Sequence, residues 1–332
     1  MPPHHPPSDP VDGPATGHDA GSPADPSPGG PLAAPDWPAI GAARARAIPR
    51  VPFAVQDGTR ALEAGSVACA HLEALARWPE ALRVEDHGVT MTLAASDRGP
   101  FFAQANAALR EAGLIVAWRD ETYPVLALPS RRLLATFERA ASRFWGTVTF
   151  GAHCNGYLAD AQGRPTHLWI ARRSYTKPTD PGLLDNLIGG GVPHGQTPAE
   201  AVLREGWEEA GLRPAQMRAL RPGRVARVAR DIPEGFQLEE LSIFDLALPP
   251  DLVPCNQDGE VHSLTLMSVA EALAQAATSA MTVDASLVML DFALRHDLLV
   301  GDSRERLARA SATLWTGHAE MPAAPLKSGD VA

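Results

Sequence analysis

The sequence predicts an α/β fold, an α/β/α sandwich with a mixed sheet, preceded by a small α+β module. The main observation is that short apolar runs, typical of strands, alternate with segments of helical periodicity. The predicted strands of the main sheet are 147–158, 167–172, 183–188, 221–229, 238–246 and 260–267, with later helices at 268–277 and 285–295. Strands interleaved with helices are typical of layered α/β domains.

Composition and pattern divide the chain into four segments. Residues 1–45 are rich in Pro, Gly, Ser and Asp, which predicts a disordered tail. Residues 46–140 form the α+β module, 141–312 the main domain, and 313–332 a C-terminal tail. The predicted helices around the module are 65–78, 100–112 and 130–144, and its predicted strands are 89–93, 115–118 and 125–128. The module shows no catalytic spacing, so we expect it to pack against the main domain and shape the substrate site.

Charge and composition limit the partners. A formal net charge of −10 argues against nucleic acid, because a phosphate backbone requires a basic surface. No apolar run approaches the length of a membrane span. The three widely spaced cysteines, Cys69, Cys154 and Cys255, are typical of reduced thiols. We therefore expect a cytoplasmic protein, monomeric or homodimeric, with no membrane or nucleic-acid partner.

A glycine-rich loop that continues into a helix carries the most informative pattern. Thr197 followed by Glu200 predicts a capping box, and Pro198 suits the first helical position. Gly211 supplies the left-handed residue that commonly ends a helix. The apolar positions share one face, which we expect to pack on the sheet; they are Ala199, Leu203, Gly206 and Ala210.

Glu205, Glu208 and Glu209 occupy positions i, i+3 and i+4 of the same helix and therefore share its other face. Three neighbouring carboxylates repel one another, whereas a hard divalent cation would make the cluster favourable. A solvated acidic face is the more common meaning of such a helix. The helix alone leaves both interpretations open.

The spacing of the whole segment closely resembles the Nudix box. The positions that match its pattern are Gly190, Arg204, Glu205, Glu208, Glu209, Gly211 and Leu212. Gln196 stands where the pattern has its first Glu, and Gly206 replaces a larger apolar residue. The resemblance implies the Nudix fold and a Mg²⁺-dependent diphosphate hydrolase, with Mn²⁺ as an alternative ion. It also implies that Glu205, Glu208 and Glu209 bind the metal.

The flanking segments resemble the thiamine-pyrophosphokinase-related branch of the Nudix proteins, over roughly residues 48 to 305. The matching segments include 118–121, 137–141, 151–157, 168–174, 181–186 and 258–261. Members of this branch remove phosphate from thiamine diphosphates and prefer oxidised forms. The resemblance therefore implies a small-molecule diphosphate substrate such as oxothiamine or oxythiamine diphosphate.

Three carboxylates are the candidate catalytic groups. Hydrolysis of a diphosphate requires neutralised phosphate oxygens and a positioned water. Glu260 follows an Asp-Gly turn and is a candidate for the metal shell or the general base, or is a surface turn carboxylate. Glu205 is the rival base, and Glu209 completes the catalytic set.

Cationic side chains are the candidate phosphate contacts. Arg173 offers a bidentate fork and Lys177 a point charge, although an exposed cation at a strand end is the commoner meaning of either. We expect Arg204 to brace the helix through Glu208, four residues later, or through the loop carbonyls. We expect structural roles for His153, His194 and Cys154, and core positions rather than a stacking platform for Trp118, Trp145 and Trp169.

Two alternatives to this function remain open. One is a Nudix pyrophosphohydrolase that acts on another nucleoside or isoprenoid diphosphate. The other is a non-hydrolytic Nudix-fold sensor or isomerase, which only the Gln196 departure supports.

Overall fold

The computed structural model describes residues 36–319. The N-terminal tail therefore lies outside the described residues up to position 35, and the C-terminal tail from position 320. The parts of both tails that are described do not behave as predicted. Helix α1 (Pro38–Ala42) and a buried Trp37 lie within the first tail, and strand β14 (Trp315–His318) lies within the second. Both segments belong to the main domain, because Trp37 packs in its core and β14 pairs with its sheet.

The module that precedes the main domain contains six strands in two small sheets. Its elements are β1 (Arg50–Asp57), β2 (Arg60–Ala68), α2 (Leu72–Leu75), β3 (Leu82–Glu85), β4 (Gly88–Met91), α3 (Ala95–Glu111), β5 (Thr122–Leu126), β6 (Leu133–Glu138) and α4 (Ala141–Trp145). Helix α4 lies beyond the expected boundary at residue 140, but its apolar side chains pack in the core of the module, so it is counted with the module. The strand order of the first sheet is β2-β1-β4-β3, and β5 pairs with β6. Aromatic rings fill its core, including the fully buried Phe53, Phe102 and Trp145.

Three predictions for the module are wrong. The expected helix 65–78 begins instead as β2, because residues up to Ala68 pair with β1. The expected helix 130–144 is β6 followed by the short α4, since Leu134 and Phe137 face the core from a strand that pairs with β5. The expected strand 115–118 is a loop. In the first two segments, strand pairing outweighs a helical spacing of apolar residues.

The main domain is built on one mixed sheet, as predicted. Its elements are β7 (Val148–Ala159), β8 (Pro165–Arg173), β9 (Leu184–Asp185), β10 (Ile188–Gly191), α5 (Pro198–Ala210), β11 (Arg221–Ile232), β12 (Gly235–Ala247), β13 (Val261–Ser268), α6 (Val269–Ala276), α7 (Val283–Arg295), α8 (Asp302–Ser311) and β14. The sheet order is β13-β8-β7-β12-β11-β14, with β10 paired to β7 and β9 paired to β8. β7 and β12 run parallel, and the other pairs are antiparallel.

Helices cover both faces of this sheet. Leu168 and Ile170 of β8 pack in a core with α6 and α7, whereas the intervening Trp169 packs in the core that contains α5. Because successive side chains of a strand point to opposite faces, α5 and the α6–α7 pair cover opposite faces of the sheet. This is the expected α/β/α sandwich. Within residues 36–319, no helix combines the length and the apolar character needed to cross a membrane.

Candidate functional site

Helix α5 begins and ends as the sequence predicts. The backbone N–H of Thr197 donates to Glu200 Oε2 at 2.8 Å, and the N–H of Glu200 donates to Thr197 Oγ1 at 3.3 Å. Gly211 closes the helix with a left-handed φ of 65°. These caps fix the residues that face the sheet and the residues that face away from it.

The apolar face of α5 packs on β7 and β10. A methyl group at Gly206 would stand 2.7 Å from the Met217 sulfur and 3.2 Å from Ile188 Cδ1. A glycine inside a helix costs roughly 1 kcal/mol relative to alanine. The close packing on Met217 and Ile188 explains why this helix contains one.

Arg204 joins two of the three glutamates on the other face. Its Nη2 lies 2.8 Å from Glu205 Oε1, and its Nη1 lies 2.9 Å from Glu208 Oε2. Nη2 also donates to the carbonyl oxygen of Gly191 at 3.4 Å, which links the helix to the glycine loop. Arg204 therefore braces both the helix and the loop.

Lys177 joins the third glutamate to Glu260, which lies far away in sequence. Its Nζ is 3.6 Å from Glu209 Oε1 and 2.5 Å from Glu260 Oε2. The backbone N–H of Gly189 donates to the other oxygen of Glu209 at 2.8 Å. The fold thus brings Glu260 to the glutamates of α5, and Lys177 is a mostly buried bridge between them rather than an exposed cation.

Burial dominates the electrostatics of these carboxylates. It raises the pKa of Glu205 to about 7, despite Arg204, and raises the pKa of Glu209 well above its usual range, despite Lys177. Burial also opposes ionisation of Glu260, but the hydrogen bond and charge of Lys177 outweigh it and lower the pKa of that side chain. The positive charge of Arg204 and Lys177 is therefore too small to offset the effect of burial on the pKa values of Glu205 and Glu209.

The donor set fits a divalent cation, although the carboxylates are paired with cationic side chains in this structure. Among residues 36–319, no three His, Cys, Asp or Glu side chains converge as a metal-binding group. Carboxylate oxygens are the ligands that Mg²⁺ prefers. Additional positive charge would also stabilise Glu205 and Glu209 in their ionised forms. The three glutamates of α5 are therefore the residues that would bind such a cation.

Gly190 lies against the Glu205 carboxylate. A methyl group at residue 190 would stand 2.0 Å from Glu205 Oε1. No side chain fits there without moving Glu205, so the glycine of the loop and the glutamate of α5 depend on each other.

Arg173 directs most of its N–H groups to other parts of the protein. Its Nη1 donates to Asp185 Oδ2 at 2.8 Å, its Nη2 to the carbonyl of Thr179 at 2.9 Å, and its Nε to the carbonyl of Asp180 at 3.1 Å. These bonds hold the loop before β9 against β8. A phosphate contact by Arg173 stays a prediction; one of the five N–H groups, on Nη1, is not used by these bonds or by the 3.4 Å bond from Nη2 to Thr179 Oγ1.

A cavity of about 680 Å³ opens beside this cluster. Glu205, Glu208, Glu260, Arg173 and Lys177 line it, together with residues of the module. The module contributes Val116, Ala117, Arg119, Glu121, Arg139, Ala140 and Arg143. The module therefore forms part of the cavity wall, and a role in shaping the substrate site stays a prediction.

Arg119 is a cation of this wall that the sequence analysis assigned no role. Within residues 36–319, its side chain makes no hydrogen bond or ion pair, while its backbone N–H donates to Glu138 Oε1 at 2.8 Å. Its loop is strained, because Ala117 and Asp120 have φ values of 58° and 59°. The only signal in the sequence is that Arg119 falls in one of the flanking segments of the resemblance.

The inner wall of the cavity is acidic and amide-rich. Gln237 Nε2 donates to Glu239 Oε2 at 2.9 Å and to Asp284 Oδ2 at 3.0 Å. Arg143 of the module lies 3.1 Å from the same oxygen of Glu239. This cluster could not be predicted from the sequence, because its members come from α4, β12 and α7 and meet only in the folded chain.

The remaining predicted residues lie mostly away from the cavity. His194 and Gln196 are exposed on the glycine loop, and Cys154 is fully buried, which raises the pKa of its thiol. Trp118, Trp145 and Trp169 all pack against hydrophobic cores. Among the described residues, the imidazole of His153 is the one aromatic ring on the cavity wall.

Comparisons with known proteins agree with the motif. Residues 151–287 match the NUDIX domain family, and residues 43–149 match a domain of unknown function called DUF4743. The chain is 39% identical to Nudix hydrolase 20, chloroplastic, of Arabidopsis thaliana over 210 residues, which are 62% of this chain and 55% of that protein. It is 30% identical over 201 residues to an uncharacterized protein of Saccharomyces cerevisiae, covering 57% and 58% of the two chains.

The chain spans little more than half of these curated relatives. A crystal structure of a protein from Deinococcus radiodurans is also similar, with 21% identity, a TM-score of 0.37, and coverage of 57% of this chain and 99% of that one. The family match falls on the part of the chain that contains the glycine loop, α5 and Glu260. Residues 151–287 are therefore similar to the NUDIX domain family over the segment that contains the candidate site.

Proposed function

We propose that this protein is a divalent-metal-dependent hydrolase that cleaves a diphosphate anhydride in a small molecule. The observation that carries the proposal is the pair of buried glutamates on α5, Glu205 and Glu209, whose raised pKa values indicate missing positive charge beside a large polar cavity. A Mg²⁺–diphosphate complex supplies positive charge to such carboxylates, and its phosphates need cationic partners of the kind this cavity wall carries.

Glu205, Glu208 and Glu209 would hold the metal, with Mg²⁺ as the preferred ion and Mn²⁺ as an alternative. When bound, the ion would neutralise charge on the phosphate oxygens. Arg204 would keep Glu205 and Glu208 oriented, since it contacts both carboxylates. This assignment gives each glutamate of the shared face a role.

Glu260 and Glu205 are the two candidates for the base that takes a proton from the attacking water. Glu260 faces the cavity and its lowered pKa keeps it ionised at neutral pH, with Lys177 holding its carboxylate in place. Glu205 has the higher proton affinity, because it is more deeply buried. Lys177 and Arg119 line the cavity and both lower the pKa of Glu260 through their charge, so they are candidate phosphate contacts beside Arg173.

For the substrate, we propose a thiamine-diphosphate-like compound, in particular an oxidised form. Its support is the series of flanking segments that resemble the thiamine-pyrophosphokinase-related branch. The polar wall of the cavity disfavours an isoprenoid chain, because an apolar chain gains little from charged surroundings. A cytoplasmic location and a monomeric or homodimeric state complete the proposal.

A substrate panel tests the proposal. Phosphate release would be measured with Mg²⁺ for thiamine diphosphate, oxothiamine diphosphate, a set of nucleoside diphosphates and an isoprenoid diphosphate, each as kcat/KM. We expect the highest kcat/KM for oxothiamine diphosphate. A higher value for a nucleoside diphosphate would overturn the substrate class, and no release from any diphosphate would overturn the hydrolase.

A further inference from the structure

A chain of hydrogen bonds runs from the cavity along the face of the sheet that α7 covers, since His153 and Asn155 are two residues apart on β7 and Asp245 pairs with Asn155. His153 Nδ1 lies 2.9 Å from Asn186 Oδ1, and Asn186 Nδ2 donates to Asn155 Oδ1 at 3.1 Å. Asn155 Nδ2 in turn donates to Asp245 Oδ1 at 3.1 Å. At the far end, Arg295 Nη1 donates to Asp245 Oδ2 at 2.6 Å. The two amides and the aspartate are almost completely buried, so water does not compete for these bonds.

Asp245 gives the chain a direction. An ionised carboxylate only accepts hydrogen bonds, so Asn155 must turn its NH₂ group toward Asp245 and its oxygen toward Asn186. Burial opposes ionisation of Asp245, but bonds from His296 and Arg295 outweigh it and lower its pKa. Because Asn155 presents its oxygen to Asn186, Asn186 must turn its NH₂ group toward Asn155 and its oxygen toward His153.

The direction of the chain determines where the proton of His153 lies. Asn186 presents an acceptor to Nδ1 at 2.9 Å, whereas Asp185 Oδ1, at 3.6 Å from the same atom, lies beyond hydrogen-bond distance. Nδ1 must therefore carry the hydrogen, and the neutral ring must leave Nε2 with a free lone pair. Within residues 36–319, Nε2 has no hydrogen-bond partner and is not enclosed, and the side chain lines the cavity. The absence of a side chain at Gly189 makes room for the ring, because a methyl group there would stand 2.8 Å from its Cε1.

We propose that Asp245, Asn155 and Asn186 are positioning residues that fix His153 in its Nδ1–H form, and that Nε2 accepts a hydrogen bond from the substrate. The substrate group would be a donor such as an amino, imino or hydroxyl group. The substrate contact rests on the proposed hydrolase function, whereas the fixed tautomer does not. His153 thereby favours substrates that present a hydrogen-bond donor to its Nε2 atom.

Replacing Asp245 by Asn tests the direction of the chain. Arg295 only donates, so the oxygen of the introduced amide must face it and the introduced NH₂ group must face Asn155. Both buried amides then have to rotate, and Asn186 presents its NH₂ group to His153. Asp245→Asn is therefore expected to move the imidazole hydrogen from Nδ1 to Nε2, although residue 245 does not touch His153.

The tautomer can be read by ¹⁵N NMR of histidine-labelled protein, with His153→Gln to assign the signals. We expect the Nδ1–H form in the wild type and the Nε2–H form in Asp245→Asn. Asp291→Asn is the matched control, because Asp291 is also buried and also bonds to Arg295 but does not contact the amides. If the wild type carries the hydrogen on Nε2, the proposal is wrong and no variant is needed to show it. The proposal is also wrong if Asp245→Asn folds and still has the wild-type tautomer.

Kinetics test the substrate contact separately. Loss of one hydrogen bond to a buried partner lowers kcat/KM by about tenfold or more. We expect such a loss in Asp245→Asn and not in Asp291→Asn. A tautomer that switches without any change in kcat/KM would overturn the contact with substrate. If no diphosphate is hydrolysed at all, the proposed function fails while the NMR result still decides the tautomer.

Discussion

Gly190 and Glu205 occupy adjoining space: a methyl group on residue 190 would stand 2.0 Å from Glu205 Oε1. The two residues lie on different elements, β10 and α5, which contact each other closely. The glycine thus sets the position of a carboxylate that is central to the proposed metal site.

Gly190→Ala is expected to displace Glu205 by about the size of the added methyl group. A misplacement of about 1 Å in a catalytic constellation costs on the order of 10²-fold in rate, so we expect a loss of that size in kcat for diphosphate hydrolysis. Gly99→Ala is the control, because a methyl group there meets nothing within 4 Å. Wild-type activity in a folded Gly190→Ala protein would show that the position of Glu205 does not matter.

Lys177 and Glu260 are expected to act as a unit. Because Lys177 bridges Glu260 and Glu209, removal of either partner disturbs the same group of charges. We expect Lys177→Gln and Glu260→Gln each to lower kcat/KM, and the double variant to lose less than the product of the two. A double-mutant cycle measures this coupling, and strictly multiplicative losses would indicate that the two side chains act independently.

Glu239 is expected to make stability depend on pH in the acid range. Burial opposes its ionisation, but Arg143 and Arg139 outweigh burial and lower the pKa of Glu239 to about 2, compared with about 4.3 in an unfolded chain. Because the folded pKa is lower, the stabilisation is present above pH ~4.3 and is lost as pH falls toward 2. This difference corresponds to on the order of 3 kcal/mol.

Urea unfolding of the wild type and Glu239→Gln between pH 2 and 6 checks this prediction. The variant should be less stable at pH 6, and the difference between the two proteins should shrink as the pH approaches 2. An equal difference at every pH would mean that the charge of Glu239 does not contribute. The exposed Glu63 offers a Glu→Gln control, because the structure gives it no side-chain ion pair within the described residues.

Gln196→Glu is expected to change activity little. The side chain of Gln196 is exposed, does not line the cavity, and lies just before the N-cap Thr197. Substitutions at such exposed positions usually change the free energy of unfolding by no more than about 0.5 kcal/mol. A change of that size in the free energy of the transition state would alter kcat/KM by about twofold. Steady-state kinetics of the two proteins decide the matter, and a gain of a hundredfold or more would mean that Gln196 impairs this enzyme.

The sequence predicted the main domain better than the module. Capping residues and strand periodicity are local signals, so α5, its ends and the five long strands β7, β8, β11, β12 and β13 follow from them, whereas the predicted strand 183–188 is divided between the short β9 and β10. The strand β2 could not be predicted in this way, because its pairing with β1 decides its conformation. The helix predicted over 130–144 is wrong at 133–138 for the same reason, since that segment pairs with β5, whereas 141–145 is helical as predicted.

In the candidate site, too, only the features that depend on local sequence could be predicted. The spacing of the box placed three glutamates on one face of α5, but it could not show that Lys177 connects Glu209 to Glu260. Such a contact depends on how β8, β13 and α5 pack. The position of Arg119 on the cavity wall could not be predicted from local pattern either, because Arg119 belongs to a separate module.

The most direct test of the central claim is phosphate release by Glu209→Gln with and without Mg²⁺. Glutamine keeps an oxygen for the Gly189 N–H bond and removes the charge, so the fold should survive. Glu200→Gln is the matched control on the same helix, because Gln also serves in a capping box. We predict Mg²⁺-dependent release by the wild type and Glu200→Gln, and none by Glu209→Gln. Equal release by Glu209→Gln, or release by the wild type that does not require a divalent ion, would contradict the account.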